Sequence, residues 1–265
     1  AGDFVDYPTD STIIGAAKVT GRLPSGMSLG SLFALTAEES AHVFRKSTGV
    51  ESDAKVAPRT IFSVNRVQQE FGTERSTVGA QLVAMSRDLP EGDPLAALMS
   101  RRAFSLVGDS LIRFGHNAYE LTLLSAYTRV SGTAAVIERI QRSPVHTYQR
   151  PDREDGPRLD PTRTSLGGTK NQLILNKVTG AHWLWGASYM WDSPGLETND
   201  VGRLNDAGDI RGNFNLNYRV TTPGRRLRAW NINTILATLH YFGGELGLQR
   251  WLQQQSNWTF LNFWK

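Results

Sequence analysis

The sequence predicts an all-β protein, an antiparallel up-and-down transmembrane β-barrel with about 11–12 strands in this chain. Three observations predict it. Residues 209–222 alternate between two chemistries: Phe214, Leu216, Tyr218 and Val220 fall on one face, and Asn213, Asn215, Asn217 and Arg219 on the other. Successive side chains of a strand point to opposite sides, so a period of two held this long makes a ribbon with one apolar and one polar face. The pattern recurs at 180–191, where Trp183, Trp185, Ala187, Tyr189 and Trp191 oppose His182, Gly186 and Ser188. It recurs again at 118–130, where Tyr119, Leu121, Leu123 and Tyr127 oppose Ala118, Glu120, Thr122, Ala126 and Thr128. These runs exceed the roughly 5–6 residues of an average strand and reach the roughly 9–11 that a tilted strand needs to cross a bilayer. Finally, short and long connections alternate along the chain, as periplasmic turns and external loops do in such barrels.

The composition narrows the alternatives. Of 265 residues 40% are hydrophobic, yet no uncharged apolar run approaches the roughly 18 residues of a spanning helix, so any membrane crossing is made by strands. Cysteine is absent, which removes disulfides and thiolate metal sites. The net charge of +4, from 29 Lys and Arg against 25 Asp and Glu, is spread along the chain. Nucleic-acid binding requires a concentrated basic patch, so no nucleic-acid partner is expected. The start, Ala-Gly-Asp, reads as a processed form or a fragment.

In chain order, 13–22 and 27–36 flank Leu23-Pro24-Ser25-Gly26 and read as a hairpin. The polar stretch 37–58, with Glu38, Glu39, Arg45, Lys46, Glu51, Asp53 and Lys55, reads as a long loop. A second hairpin joins 59–71 to 76–89 around Gly72-Thr73-Glu74-Arg75, and 98–108 pairs with 119–130 across Gly115-His116-Asn117. Residues 133–142, with Ala134, Val136, Ile137 and Ile140, fit a short helix or an irregular segment. The Pro-rich, charged stretch 143–162 reads as the longest loop. Strands resume at 163–178, turn at Thr179-Gly180 and return through Trp191. A Gly-, Asn- and Asp-rich loop, 193–208, precedes strands at 209–222, 225–242 and within 246–264. All seven tryptophans lie from Trp183 onward, and aromatic side chains near strand ends are what interfacial girdles supply.

The chemical motifs are weak. Gly26-Met27-Ser28-Leu29-Gly30 has the letters of a nucleophile elbow, but that elbow turns from a strand into a helix, and here a turn opens a strand. His42, His116, His146, His182 and His240 show no metal-ligand spacing. The acidic groups Asp152, Glu154 and Asp155, and Glu197, Asp200, Asp206 and Asp209, lack the calcium-loop spacing and read as solvated loop charge. Arg101 with Arg102, and Arg225, Arg226 and Arg228, mark strand ends where a hydrocarbon region would stop. No catalytic residue, cofactor or metal is expected.

The segments Ile14-Gly15-Ala16-Ala17-Lys18-Val19-Thr20-Gly21-Arg22 and Ala34-Leu35-Thr36 resemble the DUF5916 family. So do Gln141-Arg142-Ser143, Tyr148-Gln149-Arg150-Pro151-Asp152, Leu159-Asp160-Pro161-Thr162-Arg163-Thr164-Ser165-Leu166 and Ser193-Pro194-Gly195-Leu196-Glu197-Thr198-Asn199-Asp200-Val201-Gly202. The resemblance runs from Ile13 to about Ala229. It implies a bacterial outer-membrane β-barrel of unsettled function, usually preceded by a carbohydrate-binding family 9-like domain that finds no counterpart before Ile13. It implies no catalytic residues.

The expectations are then specific. Trp183, Trp185, Tyr189, Phe214, Leu216, Tyr218 and Val220 face lipid, and Asn213, Asn215, Asn217 and Arg219 face the lumen. The loops 37–58, 133–162 and 193–208 emerge on the extracellular side. Residues 1–265 form one barrel domain, or a segment of a larger barrel completed by further strands or another chain. The partners are the lipid bilayer and lipopolysaccharide, and the role is transport, export or surface binding, with glycans as one cargo class. Two alternatives stand beside it: a barrel-embedded hydrolase, which needs a serine such as Ser28 or Ser188 beside a histidine, and a soluble all-β binding protein, which needs the Trp and Phe faces buried against protein.

Overall fold

The computed structural model describes residues 3–150, 156–242 and 249–264. Its dominant element is an eleven-stranded antiparallel sheet. In chain order the strands are β2 (Ile13–Arg22), β3 (Met27–Thr36), β6 (Thr60–Phe71), β7 (Ser76–Arg87), β8 (Arg102–Phe114), β9 (Tyr119–Ser131), β10 (Ser165–Lys177), β11 (Trp183–Asp192), β12 (Asp209–Val220), β13 (Leu227–Tyr241) and β14 (Gln249–Phe260). Each pairs with its predecessor and successor in that list, so the sheet is a pure meander. A second, three-stranded sheet holds β1 (Phe4–Asp6), β4 (Glu39–Arg45) and β5 (Val50–Ala57), in the order β1-β4-β5.

The expected all-β, antiparallel meander is found, but the described strands do not close into a barrel. β2 and β14 are the sheet's two free edges. Both run from the long-loop end toward the short-turn end, because nine strands of alternating direction separate them. Direct pairing between them would therefore be parallel, unlike every other pair in the sheet.

Connections segregate by end. Four-residue turns follow β2, β6 and β8, and the links after β10 and β12 are nearly as short. Positive φ angles at Gly26 (84°), Arg75 (56°), His116 (58°) and Asn117 (60°) let the chain reverse tightly there. At the other end lie 37–59, 88–101, 132–164 and 193–208.

The stretch expected as a loop at 37–58 is instead the hairpin of β4 and β5. It extends the β3–β6 pair beyond Thr36 and Thr60, and β1 flanks it as β2 flanks β3. Its side chains are mostly solvent-exposed on both faces, and the alternation of β5 rests on small residues, Val50, Ser52 and Ala54 against Glu51, Asp53 and Lys55, so only a weak period marks it in the sequence. β8 begins at Arg102, not at Leu98, because 93–101 forms a capped 3-10 turn and its exit: Asp93 accepts from the Leu95 amide, and Pro94–Ala97 follows.

The short helix expected within 133–142 is α1 (Ala134–Gln141). Thr133 caps it by accepting from the Val136 amide. Its Val136 and Ile137 pack with Met85, Ala103, Val130, Tyr148 and Leu166 in the only buried apolar cluster of the described residues. The expected loop charges at Asp152, Arg153, Glu154 and Asp155 and the start of the last expected strand, 246–248, lie outside the described residues.

Candidate functional site

The register sorts the sheet into two faces of opposite chemistry. Trp183 stands opposite Tyr218, Trp185 opposite Leu216 and Ala187 opposite Phe214, so Trp183, Trp185, Tyr189, Phe214, Leu216, Tyr218 and Val220 share one face. Asn213, Asn215, Asn217 and Arg219 share the other, where Ser188 faces Asn213 and Gly186 faces Asn215. Carried across the ladder, the first face takes in Val19, Phe33, Leu106, Leu123 and Leu236. These remain 36% or more exposed: Val19 is 72% exposed, Leu106 51% and Leu236 50%. Among the described residues no protein element covers this face. A soluble monomer rarely exposes an apolar patch beyond a few hundred Å², so a soluble all-β protein would need a partner to cover this face.

Aromatic rings edge that apolar face at both ends. Toward the short turns Phe114 stacks on Tyr119 at 5.3 Å, and Tyr119 reaches Trp185 at 6.2 Å. Trp183 meets Tyr218 at 4.6 Å, Tyr218 meets Trp230 at 5.3 Å, and Trp230 stacks on Trp258 at 5.4 Å. Toward the long loops Phe104 lies 5.9 Å from Tyr127, and Tyr189 5.5 Å from Trp191. Tyr119 and Tyr127 belong to different rows on the same strand, β9. Their eight-residue separation spans about 27 Å along a strand, or about 20 Å once a tilt of about 40° is allowed for, close to the roughly 25 Å apolar band of a membrane barrel. Trp251 departs from this pattern, since its partner Ala237 puts it on the polar face.

The carboxylates are sorted as sharply. The acidic residues of the eleven strands are Glu70, Asp109, Glu120, Asp192 and Asp209, and register places all five on the polar face. There Arg66 grips Asp109 through both terminal nitrogens, at 2.8 and 2.9 Å, across Gly79. A Cβ at Gly79 would lie 3.0 Å from Arg66 Nη2 and 3.2 Å from the carboxylate, so a side chain there would crowd the fork. Arg113 pairs with Glu120 at 3.0 Å, Lys170 with Asp192 at 2.7 Å, and Arg211 with Asp209. Gly186 plays the same part as Gly79, leaving room for the Asn176 and Asn215 amides that lean over it. Asn217, Asn233 and Gln255 stand directly opposite one another on β12, β13 and β14.

The long loops fold back over the polar face at their own end. The backbone of Gly195 and Leu196 lies against Gly168, where any side chain would collide. His146, buried, faces Pro194 O at 3.0 Å with one ring nitrogen and Glu197 Oε2 at 3.2 Å with the other. Ser100 and Arg87 hold Asp200, and Gln141 exchanges two hydrogen bonds with the Asp160 backbone, at 2.9 and 3.0 Å. Burial raises the Tyr148 hydroxyl above its ordinary value, against the opposing pull of Arg163. Desolvation followed by the neighbouring Asp209 raises Asp206. At the root of the β4–β5 hairpin Lys55 bridges Asp93 at 2.8 Å and Glu38 at 2.7 Å. Its bond to Asp93 lifts Lys55 and lowers Asp93.

No hydrolytic pairing appears among the described residues. His42 meets Asp53, His146 meets Pro194 and Glu197, and His182 meets the Arg219 carbonyl, so no serine hydroxyl bonds a histidine. Ser28 lies in β3, just past the turn at Gly26. No cluster of His, Asp or Glu suited to a metal ion occurs in the described residues. Sequence reasoning missed the loop cap and the two interior glycines. Gly167-Gly168 inside a strand was the signal for the cap, since paired glycines in a strand mark a close approach of other backbone.

Residues 1–83 match the family model DUF5916, a domain of unknown function. The DUF5916 match spans β1 through most of β7, including the motifs at Ile14–Arg22 and Ala34–Thr36. The resembling segments from Gln141 onward lie outside it. No curated protein and no solved structure matches the chain.

Proposed function

We propose that this chain forms wall of a bacterial outer-membrane β-barrel, with the Trp183–Tyr218 face toward lipid and the Asn213–Arg219 face toward a lumen. The exposed apolar face, continuous over eleven strands and free of carboxylates, carries this reading. Strands survive in hydrocarbon only when every backbone group is paired. Antiparallel closure between β14 and β2 then takes an odd number of further strands, because those two edges run the same way. The role is transport, export or surface binding of polar cargo. Glycans suit the lining, since the amides of Asn217, Asn233 and Gln255 offer donors and acceptors to hydroxyl groups.

The long loops and the β4–β5 hairpin belong outside the cell, and the short turns in the periplasm. Protease added to intact cells should cut at Arg45-Lys46, in the β4–β5 turn, and spare Arg75. Membranes washed with alkaline carbonate should retain the protein until detergent is added. Recovery in the detergent-free supernatant overturns the wall reading, and cleavage at Arg75 alone inverts its orientation.

A further inference from the structure

Arg66, Arg87, Arg113 and Arg211 each meet a carboxylate on the polar face. Arg102 and Arg129 do not: they stand on the opposite, apolar face, exposed, and meet no carboxylate among the described residues. None could come from the neighbouring strands, whose acidic residues all point the other way. Both arginines sit at the long-loop end, next to the Phe104–Tyr127 contact.

Their surroundings are built for a phosphate. Ser86, Arg102, Ser131 and Ser165 lie directly opposite one another across β7, β8, β9 and β10, which lines three hydroxyls and a guanidinium in one row. Arg129 stands opposite Phe104, diagonal to Arg102, and donates to Ser165 Oγ at 3.1 Å, which orients its fork within that row. Arginine forks match phosphate oxygens two at a time, and hydroxyls supply further donors. Beneath the row a groove of about 700 Å³ runs over Ser63 and Ala84, between the side chains of Ile61 and Phe104. Small residues floor it and larger apolar ones form its sides, a shape suited to an acyl chain.

We infer that Arg102 and Arg129, with Ser86, Ser131 and Ser165, bind the phosphate of a phosphorylated membrane glycolipid whose acyl chain lies in the groove between Ile61 and Phe104. The inference rests on the wall reading above, which puts the long-loop end in the outer leaflet, where such glycolipids reside. The cationic pair then receives its counter-charge from the membrane and not from the chain.

The test uses the protein extracted from its own membrane in mild detergent, with native mass spectrometry of the lipid it retains. Parallel incubations offer a bis-phosphorylated lipid A, the same lipid without phosphates, and inorganic phosphate. Wild type should keep the phosphorylated lipid, and the double variant R102A/R129A should retain at least about tenfold less, the scale expected when charge-assisted hydrogen bonds are lost. R102K/R129K should fall between them, as it keeps charge without the fork. Folding of each variant is read from its heat-dependent gel mobility. If the alanine pair misfolds, the lysine pair decides, since retention equal to wild type would overturn the site. Equal retention by wild type and R102A/R129A, or by wild type of phosphorylated and dephosphorylated lipid, also overturns it. Displacement of the lipid by inorganic phosphate alone would show an anion site without lipid specificity. Wild-type protein that leaves the membrane without detergent defeats the wall reading itself, whereas an integral protein with unchanged lipid retention defeats only this inference.

Discussion

The eleven-stranded sheet and the three-stranded sheet use the same antiparallel ladder and are joined end to end, yet their side chains obey different rules. In the large sheet all carboxylates and most amides gather on one face, while aliphatic residues edged by aromatic rows predominate on the other. In the small one, β5 sets Glu51, Asp53 and Lys55 on one face against Val50, Ser52, Ala54 and Val56 on the other, a run of small residues without an aromatic ring. Its aromatic contact, Phe4 with Phe44, stands on the charged face beside the exposed His42–Asp53 pair, so no aromatic row edges its apolar side. Backbone pairing alone therefore does not mark a membrane wall. On the proposed reading a wall also needs an apolar stripe as tall as a bilayer, and that stripe ends where β3 gives way to β4.

The sharpest way to break this comparison is to place a charge in each sheet. Leu123 lies midway between Tyr119 and Tyr127 on β9 and faces the apolar side. Leu123→Arg should cost roughly 2–4 kcal/mol, the penalty of a cation at a bilayer midplane. Val50→Arg, at a 54% exposed position in β5, should stay within about 0.5 kcal/mol. Urea unfolding in lipid vesicles measures both, and equal costs would erase the distinction. Leu216→Arg should fall between, nearer about 0–1 kcal/mol, because Leu216 sits opposite Trp185 in the aromatic row that the proposed wall would set at the interface.

A smaller effect is expected where the loops meet the polar face. Gly168→Leu puts a side chain into the backbone of Gly195 and Leu196. It should destabilise the cap by about 1–3 kcal/mol, as overpacking does, and speed proteolysis within 193–208 while leaving β12 to β14 protected from hydrogen exchange. Unchanged proteolysis would show that the cap does not rest on Gly168.

The root of the small sheet should respond to pH. Asp93 is lowered by its bond to Lys55 and then by the Leu95 amide, so its contribution is full above the ordinary aspartate value of about 3.9 and is lost as pH falls through its lower folded value. Lys55 is raised, chiefly by the bond to Asp93, so its contribution is full below the ordinary lysine value of about 10.4 and is lost as pH rises through its folded value above that. Cleavage at Arg45-Lys46 should stay flat between those limits and increase beyond either. A change centred near pH 7 would assign control to another group.

The last expected effect is none at all. Cysteines placed at Thr20 in β2 and Gln253 in β14 should not form a disulfide in the membrane-embedded protein, since antiparallel closure requires intervening strands. A disulfide formed within one chain would establish direct, parallel closure.

The sequence by itself determined the strands and their two faces. Phe214, Leu216 and Tyr218 against Asn213, Asn215 and Asn217 could be read without coordinates, because a strand's period of two is local and one face is uniformly apolar. The β4–β5 hairpin was not legible, since its ribbon is exposed on both sides and the alternation of β5, Val50, Ser52 and Ala54 against Glu51, Asp53 and Lys55, rests on small residues within a charged stretch. Tertiary structure alone decided which strands neighbour one another. From that come the Arg66–Asp109 fork over Gly79, the seating of Leu196 on Gly168, and the line that joins Ser86, Arg102, Ser131 and Ser165. These contacts join residues tens of positions apart in the chain, and only the register of the ladder fixes which of them meet.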